Sequence, residues 1–430
     1  MPELPALFLV GPRATGKTTT AARYAKTIVR LDREAEAVAF RADPDAAMRG
    51  LQEPVLFDEW QLVPGVLASI KRAVDAQPSP GRFLVTGSVR GDLEGELWPG
   101  TGRLTRVPIF GMSMREQLGT LGGSPFLDRV ARGEELLPAA NTPDLRGYVE
   151  ALLRSGFPEP ALRLTTDTRE RWLESYVEHL ITRDAEQIAG GRDPARLRRF
   201  VEALALNTAG IVEDKTIFEA AGINRGTALA YERLLTNLLV VESTPAWTTN
   251  RLKRLMLSPK RYFLDPALAA AVLRLDANAI LRNGDLLGRL IDTFVASQIR
   301  SELAVTSARP RVYHVRQQQG RLEVDLLAEL GGGGIVGIEV KASSAPTPDD
   351  ARHLATLRDR TGGSFIAGVV FHTGPRTYRL GEGIVAAPIS SLWSSRHDAV
   401  AAVLAAEPME VPSDPVDLRR EVDAGHERPT

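Results

Sequence analysis

The chain has 430 residues, 43% of them apolar and 25% charged, with a formal net charge of -1 and no cysteine. These are the figures of an ordinary globular chain too long for one hydrophobic core, and they exclude disulfides, thiolate nucleophiles and cysteine-ligated metal or iron–sulfur centres. A near-neutral balance supplies no overall field toward nucleic acid or membrane, so each basic patch has to be weighed by itself.

The first stretch, MPELPALFLVGPR, has no positive flank before its apolar run, and no apolar run approaches the roughly 20 residues of a membrane helix. A signal peptide and a membrane span are therefore not expected, and the expected location is cytoplasmic. Residues 7–10 form a short apolar strand, GPRATGKT follows at once, and TTAARYAKTIV after it has helical character. Strand, GxxxxGK[ST] loop and helix together describe a phosphate cradle for ATP. Gly11 and Gly16 allow backbone angles and close approaches that a side chain would block. The expected cradle comprises Gly11, Pro12, Arg13, Ala14, Thr15, Gly16, Lys17, Thr18 and Thr19. In it Lys17 reaches the β and γ phosphates, Thr18 offers a hydroxyl to Mg²⁺, and the helix N-terminus adds partial positive charge.

A second strand is expected near residues 37–40. Residues 54–59, PVLFDE, then read as a buried parallel strand that carries two acids to its C-terminal edge. There Asp58 would hold Mg²⁺ through water and Glu59 would orient and activate the attacking water; the bland alternative is an acid pair at a helix start. A helix is expected near 66–76. RFLVTGS at 82–88 is a further strand, placing Thr86 or Ser88 where either could sense the γ phosphate, and a fifth strand is expected near 104–109. Arg90, Arg103 and Arg106 are candidates for an arginine supplied to a neighbouring subunit's site, with Arg103 preferred; such a role implies a homo-oligomer.

In the middle of the chain, GYVEALLRSGFPEPAL and WLESYVEHLITRDAEQI carry apolar residues three and four apart and read as amphipathic helices, with Arg183 and Asp184 a structural charge pair. TIFEAAGI is a short helix ended by Gly222, Asn224 caps RGTALAYERLLTN, and LVVES turns to strand. Arg251, Leu252, Lys253 and Arg254 precede a second strand ending RYFLD. Helix, turn, helix and two strands make a winged helix-turn-helix. Facing DNA, it would turn Arg225, Thr227 and Arg233 toward a groove and lay the basic hairpin across phosphates; as a scaffold it would dock protein.

RLEVDLLAEL, GGGG and IVGIEVKAS, from Arg321 onward, read as a hairpin. With an odd connecting loop, Asp325 lies opposite Glu339 and Glu323 opposite Lys341. Facing carboxylates repel, so their pairing suggests a cation between them. An acid on one strand and ExK on the next is the PD-(D/E)XK nuclease signature. In it Asp325 and Glu339 hold Mg²⁺ or Mn²⁺ and Lys341 serves the attacking water, with a preceding helix at 287–299 offering Asp292. The bland alternative is an edge-strand ion pair.

Taken together, GPRATGKT, VLFDEW, TGS, Gly102-Arg103, GFPEP, YVEHLITRD, SPKRYFLDPAL, EVD and IEVKAS resemble the bacterial and archaeal P-loop ATPases that join an AAA-type domain to a winged helix and a nuclease-like C-terminal domain. The resemblance runs from residue 1 to about residue 388. It implies an α/β multidomain chain with a five-stranded AAA+ parallel sheet over residues 1–140, a helical and winged-helix region over 141–275 and a restriction-endonuclease-like α/β domain over 276–405; residues 406–430, rich in proline and charge, are expected to be a disordered tail. It also implies Lys17, Thr18, Asp58 and Glu59 as ATP-site residues and Asp325, Glu339 and Lys341 as nuclease-core residues. Many relatives carry Glu where Asp292 stands, and further serines where Val89-Arg90 follow TGS.

Overall fold

The computed structural model describes residues 3–87, 101–184, 193–317 and 322–394, so Ser88, Arg90 and the expected tail lie outside the described residues, as do the side chains of Arg183 and Asp184. The N-terminal part is a five-stranded sheet in the order β2-β3-β4-β1-β5, parallel throughout. Its strands are β1 (Ala6–Val10), β2 (Thr27–Arg30), β3 (Val55–Asp58), β4 (Phe83–Gly87) and β5 (Leu104–Pro108). β1, β3 and β4 are buried along their whole length, which is why each reads as an unbroken apolar run rather than an alternation. The register sets Val10 beside Gly87 and Phe57 beside Val85, so the phosphate loop, the acid pair and the polar end of β4 emerge at one sheet edge.

One strand is not where the sequence suggested. Residues 37–40 belong to a helix, α2 (Glu34–Ala42), whose buried Ala37 and Phe40 stand three apart on one face. The intervening strand is instead β2, which overlaps the end of TTAARYAKTIV, the stretch of helical character after the phosphate loop. That helix, α1 (Lys17–Ala22), has only six residues. TIVR carries β-branched residues, and its Val29 enters the core. The helix expected near 66–76 is α3 (Gly65–Ala76).

The middle region is helical: α4 (Leu145–Leu153), α5 (Pro158–Leu162), α6 (Thr166–His179), α7 (Pro194–Leu206), α8 (Asp214–Ala220) and α9 (Arg225–Asn237). Gly222, at φ +65°, ends the turn after α8, and Asn224 caps α9 by accepting from the Thr227 amide. Strands β6 (Val241–Thr244) and β7 (Lys260–Phe263) pair antiparallel. Arg251–Arg254 forms a single helical turn in their connection. α10 (Pro266–Val272) follows β7 directly.

A long helix, α11 (Gly284–Glu302), leads into a six-stranded mixed sheet in the order β12-β13-β11-β10-β9-β8. Its strands are β8 (Arg311–Gln317), β9 (Leu322–Glu329), β10 (Ile335–Val340), β11 (Phe365–His372), β12 (Tyr378–Gly381) and β13 (Ile384–Pro388), with α12 (Arg352–Thr361) crossing from β10 to β11. The hairpin between β9 and β10 takes Leu330 as well as the four glycines into its loop. Five residues is the odd length that sets Ile338 against Leu326, and by continuation Glu339 against Asp325. A single apolar cluster runs from Met114 to Trp393 and includes α11, so the segment after β5 packs with the C-terminal sheet: Phe126 meets Phe371 at 5.3 Å, and the Met114 amide donates to Gln298. Among the described residues, no helix is long and apolar enough to cross a membrane.

Candidate functional site

The loop between β1 and α1 curls on itself. Ala14 at φ +60° and Gly16 at φ +83° turn successive amides inward, the arrangement that makes a nest for an anion. A Cβ at Gly11 would collide with the Ile109 carbonyl oxygen at the end of β5, so only glycine fits there. The Thr15 hydroxyl donates to the Pro12 carbonyl at 2.8 Å, and the Lys17 ammonium donates to the carbonyls of Gly11 at 3.0 Å and Pro12 at 2.6 Å. Arg13, Ala14 and Thr19 are exposed along the same loop and helix start. Burial lowers Lys17 to about 8, against the opposing pull of the nearby Glu59 and Asp58 carboxylates. Its partners in this state are neutral oxygens, which a phosphate can replace.

The acids meet this loop from β3. The Thr18 hydroxyl donates to Asp58 Oδ1 at 2.7 Å, and the Thr86 hydroxyl donates to the same oxygen at 2.5 Å. Hydroxyl and carboxylate are hard oxygen donors, and this pairing fits Mg²⁺ held beside a triphosphate by Thr18 and Asp58. Glu59 follows at φ +55°, half-buried, with its Oε2 accepting from the Gln61 side-chain amide. Gln61 is a contact the sequence did not announce: it lies two residues past the acid pair in a short 3₁₀ turn, where no motif marks it. A Cβ at Gly87 would lie 2.5 Å from the Trp60 indole nitrogen, so the glycine of TGS is required by the residue after Glu59.

Arg103 is not brought to this site. It lies before β5 at the other end of the strand, where its Nε donates to Asp75 at 2.6 Å. Parallel pairing of Ala6 with Leu104 puts it a full strand length from the phosphate loop, so it cannot serve its own subunit's nucleotide. Arg106 sits mid-strand, its guanidinium 5.9 Å from the Phe8 ring centre.

With that geometry in place, comparison with known proteins is informative. Residues 3–118 match the AAA domain family. The rest of the chain matches a domain of unknown function (DUF8612) over residues 145–279 and a domain of unknown function (DUF4143) over residues 287–392. Uncharacterized proteins of Mycobacterium tuberculosis and Mycobacterium bovis are each 28% identical over 392 residues, 90% of this chain and 81% of theirs. Among solved structures, a Walker-type ATPase of Pyrococcus abyssi is similar at 15% identity and a TM-score of 0.38, over 63% of this chain and 91% of that one. An AAA domain with Lys17, Thr18 and Asp58 gathered at one sheet edge supports ATP binding and hydrolysis.

The AAA domain's phosphate loop is also touched from the helical region. A Cβ at Gly16 would lie 3.6 Å from the Pro158 ring, and the Tyr176 hydroxyl donates to the Arg13 carbonyl at 3.5 Å. Just before Pro158, the backbones of Gly111 and Gly156 approach so closely that a Cβ on either would lie about 3 Å from the other's backbone. The Met112 amide donates to the Gly156 carbonyl at 2.6 Å. Asp265, beyond β7, accepts from the Ser155 hydroxyl at 2.6 Å and the Gly156 amide at 2.8 Å. GFPEP is thus a joint between the phosphate loop and the hairpin of β6 and β7.

The C-terminal acids do come together, but with an unexpected companion. Asp292 from α11, Asp325 from β9 and Glu339 from β10 converge, and the Lys260 ammonium from β7 enters the group at 2.6 Å from Asp292 Oδ2 and 2.9 Å from Asp325 Oδ1. The second oxygens are also engaged: Tyr262 donates to Asp292 Oδ1 at 3.2 Å and the Val340 amide to Asp325 Oδ2 at 3.0 Å. Despite the cost of burial, the two carboxylates hold the Lys260 ammonium well above the usual lysine range. Asp325, also buried, is held below the carboxylate range by that ammonium, while burial pushes Asp292 up to about 7. Burial and the neighbouring Asp325 push Glu339 well above the carboxylate range, with Lys341 3.3 Å away as a partial counterweight. Of the expected metal ligands, Asp325 is thus engaged by Lys260 and the Val340 amide, and Glu339 by Lys341. Among the described residues, no group of three or more acid, histidine or cysteine side chains is arranged to hold a metal.

The basic hairpin expected to cross DNA is corrected in part as well. Arg254 is drawn inward, paired with Glu329 at 3.0 Å and lying over the rings of Trp247 and Tyr313. Arg225 and Arg233 are exposed and Thr227 is half-buried.

Proposed function

We propose that the chain is a Mg²⁺-dependent ATPase whose nucleotide state is passed to its C-terminal half through the GFPEP joint. The observation that carries this reading is the Lys17 ammonium resting on the Gly11 and Pro12 carbonyls while Thr18 and Thr86 converge on one oxygen of Asp58. A triphosphate entering the nest replaces the carbonyls as the partner of Lys17, and the opened loop amides donate to the phosphate oxygens. Mg²⁺, when bound, screens the charge between the β and γ phosphates. Glu59 orients the attacking water and receives its proton once Gln61 releases it.

Coupling follows from contact. Pro158 rests against Gly16, so a change in the loop moves α5, and the Gly156 amide carries that movement to Asp265 and the hairpin. The C-terminal half is then the part that meets a partner, whether DNA or protein. A nuclease role is disfavoured by the ammonium of Lys260 among the acids that would have to hold the metal.

Steady-state hydrolysis of ATP by the purified chain tests the proposal. Turnover should fall by about 100-fold or more in Lys17→Ala, and Glu59→Gln should bind ATP but fail to turn it over. Equal turnover by wild type and Lys17→Ala would overturn it.

A further inference from the structure

β7 is a strand of four residues, KRYF, all of them buried, and two of the four are cationic. Alternation along the strand sends them to opposite faces. Arg261 turns toward the helices, where it pairs with Glu232 at 2.7 Å and Asp214 at 2.5 Å. Lys260 and Tyr262 turn the other way and reach the same carboxylate, Asp292. The Lys260 side chain is 3% exposed. A lysine buried to that degree would normally surrender its proton, unless carboxylates lie within contact. Here two do, one from the helix before the C-terminal sheet and one from the sheet itself.

We infer that Lys260 is the resident cation of this acidic pocket: its ammonium takes the place between Asp292 and Asp325 that a divalent metal would need, and the pocket works as an ion-pair lock fastening the β6–β7 hairpin to the C-terminal sheet. The accounting of oxygens supports it. Both oxygens of Asp292 and both of Asp325 have protein partners, and Glu339 Oε1 is the one pocket carboxylate oxygen that is buried without a hydrogen bond. The His353 Nδ1 lies 3.9 Å from it. Mg²⁺ keeps several of its waters but is held by one or two carboxylates, and an ion of charge two here would sit against a fixed ammonium and carboxylates that already have partners. A tethered cation also differs from a metal in consequence: it cannot be removed by a chelator, and it comes with the hairpin attached. Breaking the lock frees β7, and Asp265, five residues beyond Lys260, holds the joint that leads back to the phosphate loop. The lock stands whether or not that loop hydrolyses ATP.

Titrating Mn²⁺ into the nucleotide-free full chain, with free Mn²⁺ read by electron paramagnetic resonance, tests the inference. Wild type and Asp325→Asn should bind Mn²⁺ alike, because Asp325 is already committed. Lys260→Met should gain one site at least about tenfold tighter than any wild-type binding, and Lys260→Met/Asp325→Asn should lose it. Wild-type binding abolished by Asp325→Asn would overturn the inference, as would a folded Lys260→Met that gains nothing. Thermal unfolding supplies a readout without metal. The triple variant Lys260→Met/Asp292→Asn/Asp325→Asn should melt higher than Lys260→Met alone, since it removes the carboxylates left unpaired; a triple variant that melts no higher would contradict a lock.

Discussion

Two buried lysines, Lys17 at one end of the chain and Lys260 toward the other, sit beside acids and share little else. Lys17 donates to two backbone carbonyls, with Asp58 and Glu59 close but not in contact, and burial lowers it to about 8. Lys260 touches two carboxylates directly and is held well above the usual range. A lysine resting on neutral oxygens is ready to exchange them for an anion, because the exchange gains charge-assisted hydrogen bonds. A lysine already neutralised by carboxylates gains nothing from a further anion and loses much if either partner is removed. Burial alone does not separate a binding lysine from a structural one; the charge of the partners does.

The largest expected effect is at Lys260. Lys260→Met strands Asp292 and Asp325 in the interior and should destabilise the chain by about 3–5 kcal/mol, measured by denaturant unfolding; a loss no larger than that of a surface lysine would erase the contrast. Next is Lys17→Ala, which should lower turnover by about 100-fold or more while leaving the melting temperature of the nucleotide-free chain near that of wild type. Removing the Asp265 carboxylate in Asp265→Ala leaves the Ser155 hydroxyl and Gly156 amide without their acceptor. It should cost about 1–3 kcal/mol and weaken any protection that ATP confers on the C-terminal half, read by hydrogen exchange.

The pH dependence is smaller and has a definite sign. With Lys17 at about 8 in the empty pocket, ATP binding above that pH must take up a proton, so affinity should fall about tenfold per pH unit. Calorimetry in buffers of different ionisation enthalpy would show the uptake. The same depressed value makes the nucleotide-free chain gain stability as pH rises from about 8 toward the ordinary lysine value, since the unfolded chain then binds more protons than the folded one. The smallest effect is at Arg103, whose ion pair with Asp75 is at the surface: Arg103→Ala should change neither melting temperature nor turnover of the isolated chain.

The AAA domain was the more legible of the two regions, for a physical reason. A phosphate nest needs glycine and positive φ at fixed positions, so Gly11, Gly16, Lys17 and Thr18 are spelled out within eight consecutive residues, and VLFDE shows its burial as an apolar run. β2 was hidden because TIVR begins only five residues after a helix of six, in a stretch that reads as that helix's continuation. Pro158 and Gln61 were hidden because they act by contact rather than by motif. In the C-terminal region, the facing of Asp325 and Glu339 followed from the period of two and an odd loop. Lys260 did not follow, because it arrives from a different sheet, 65 residues before Asp325. The signal was present in KRYF, a short buried strand with two adjacent cations, each of which needs an acid on its own face.

Crystals of the chain soaked with ATP and Mn²⁺, with the manganese located by anomalous scattering, compare both lysines in one measurement. The account predicts manganese beside Thr18 and Asp58 with Lys17 turned from its carbonyls onto phosphate, and none in the C-terminal pocket, where Lys260 remains between Asp292 and Asp325. Manganese in the C-terminal pocket with Lys260 displaced, or a phosphate loop that takes up no nucleotide, would contradict it.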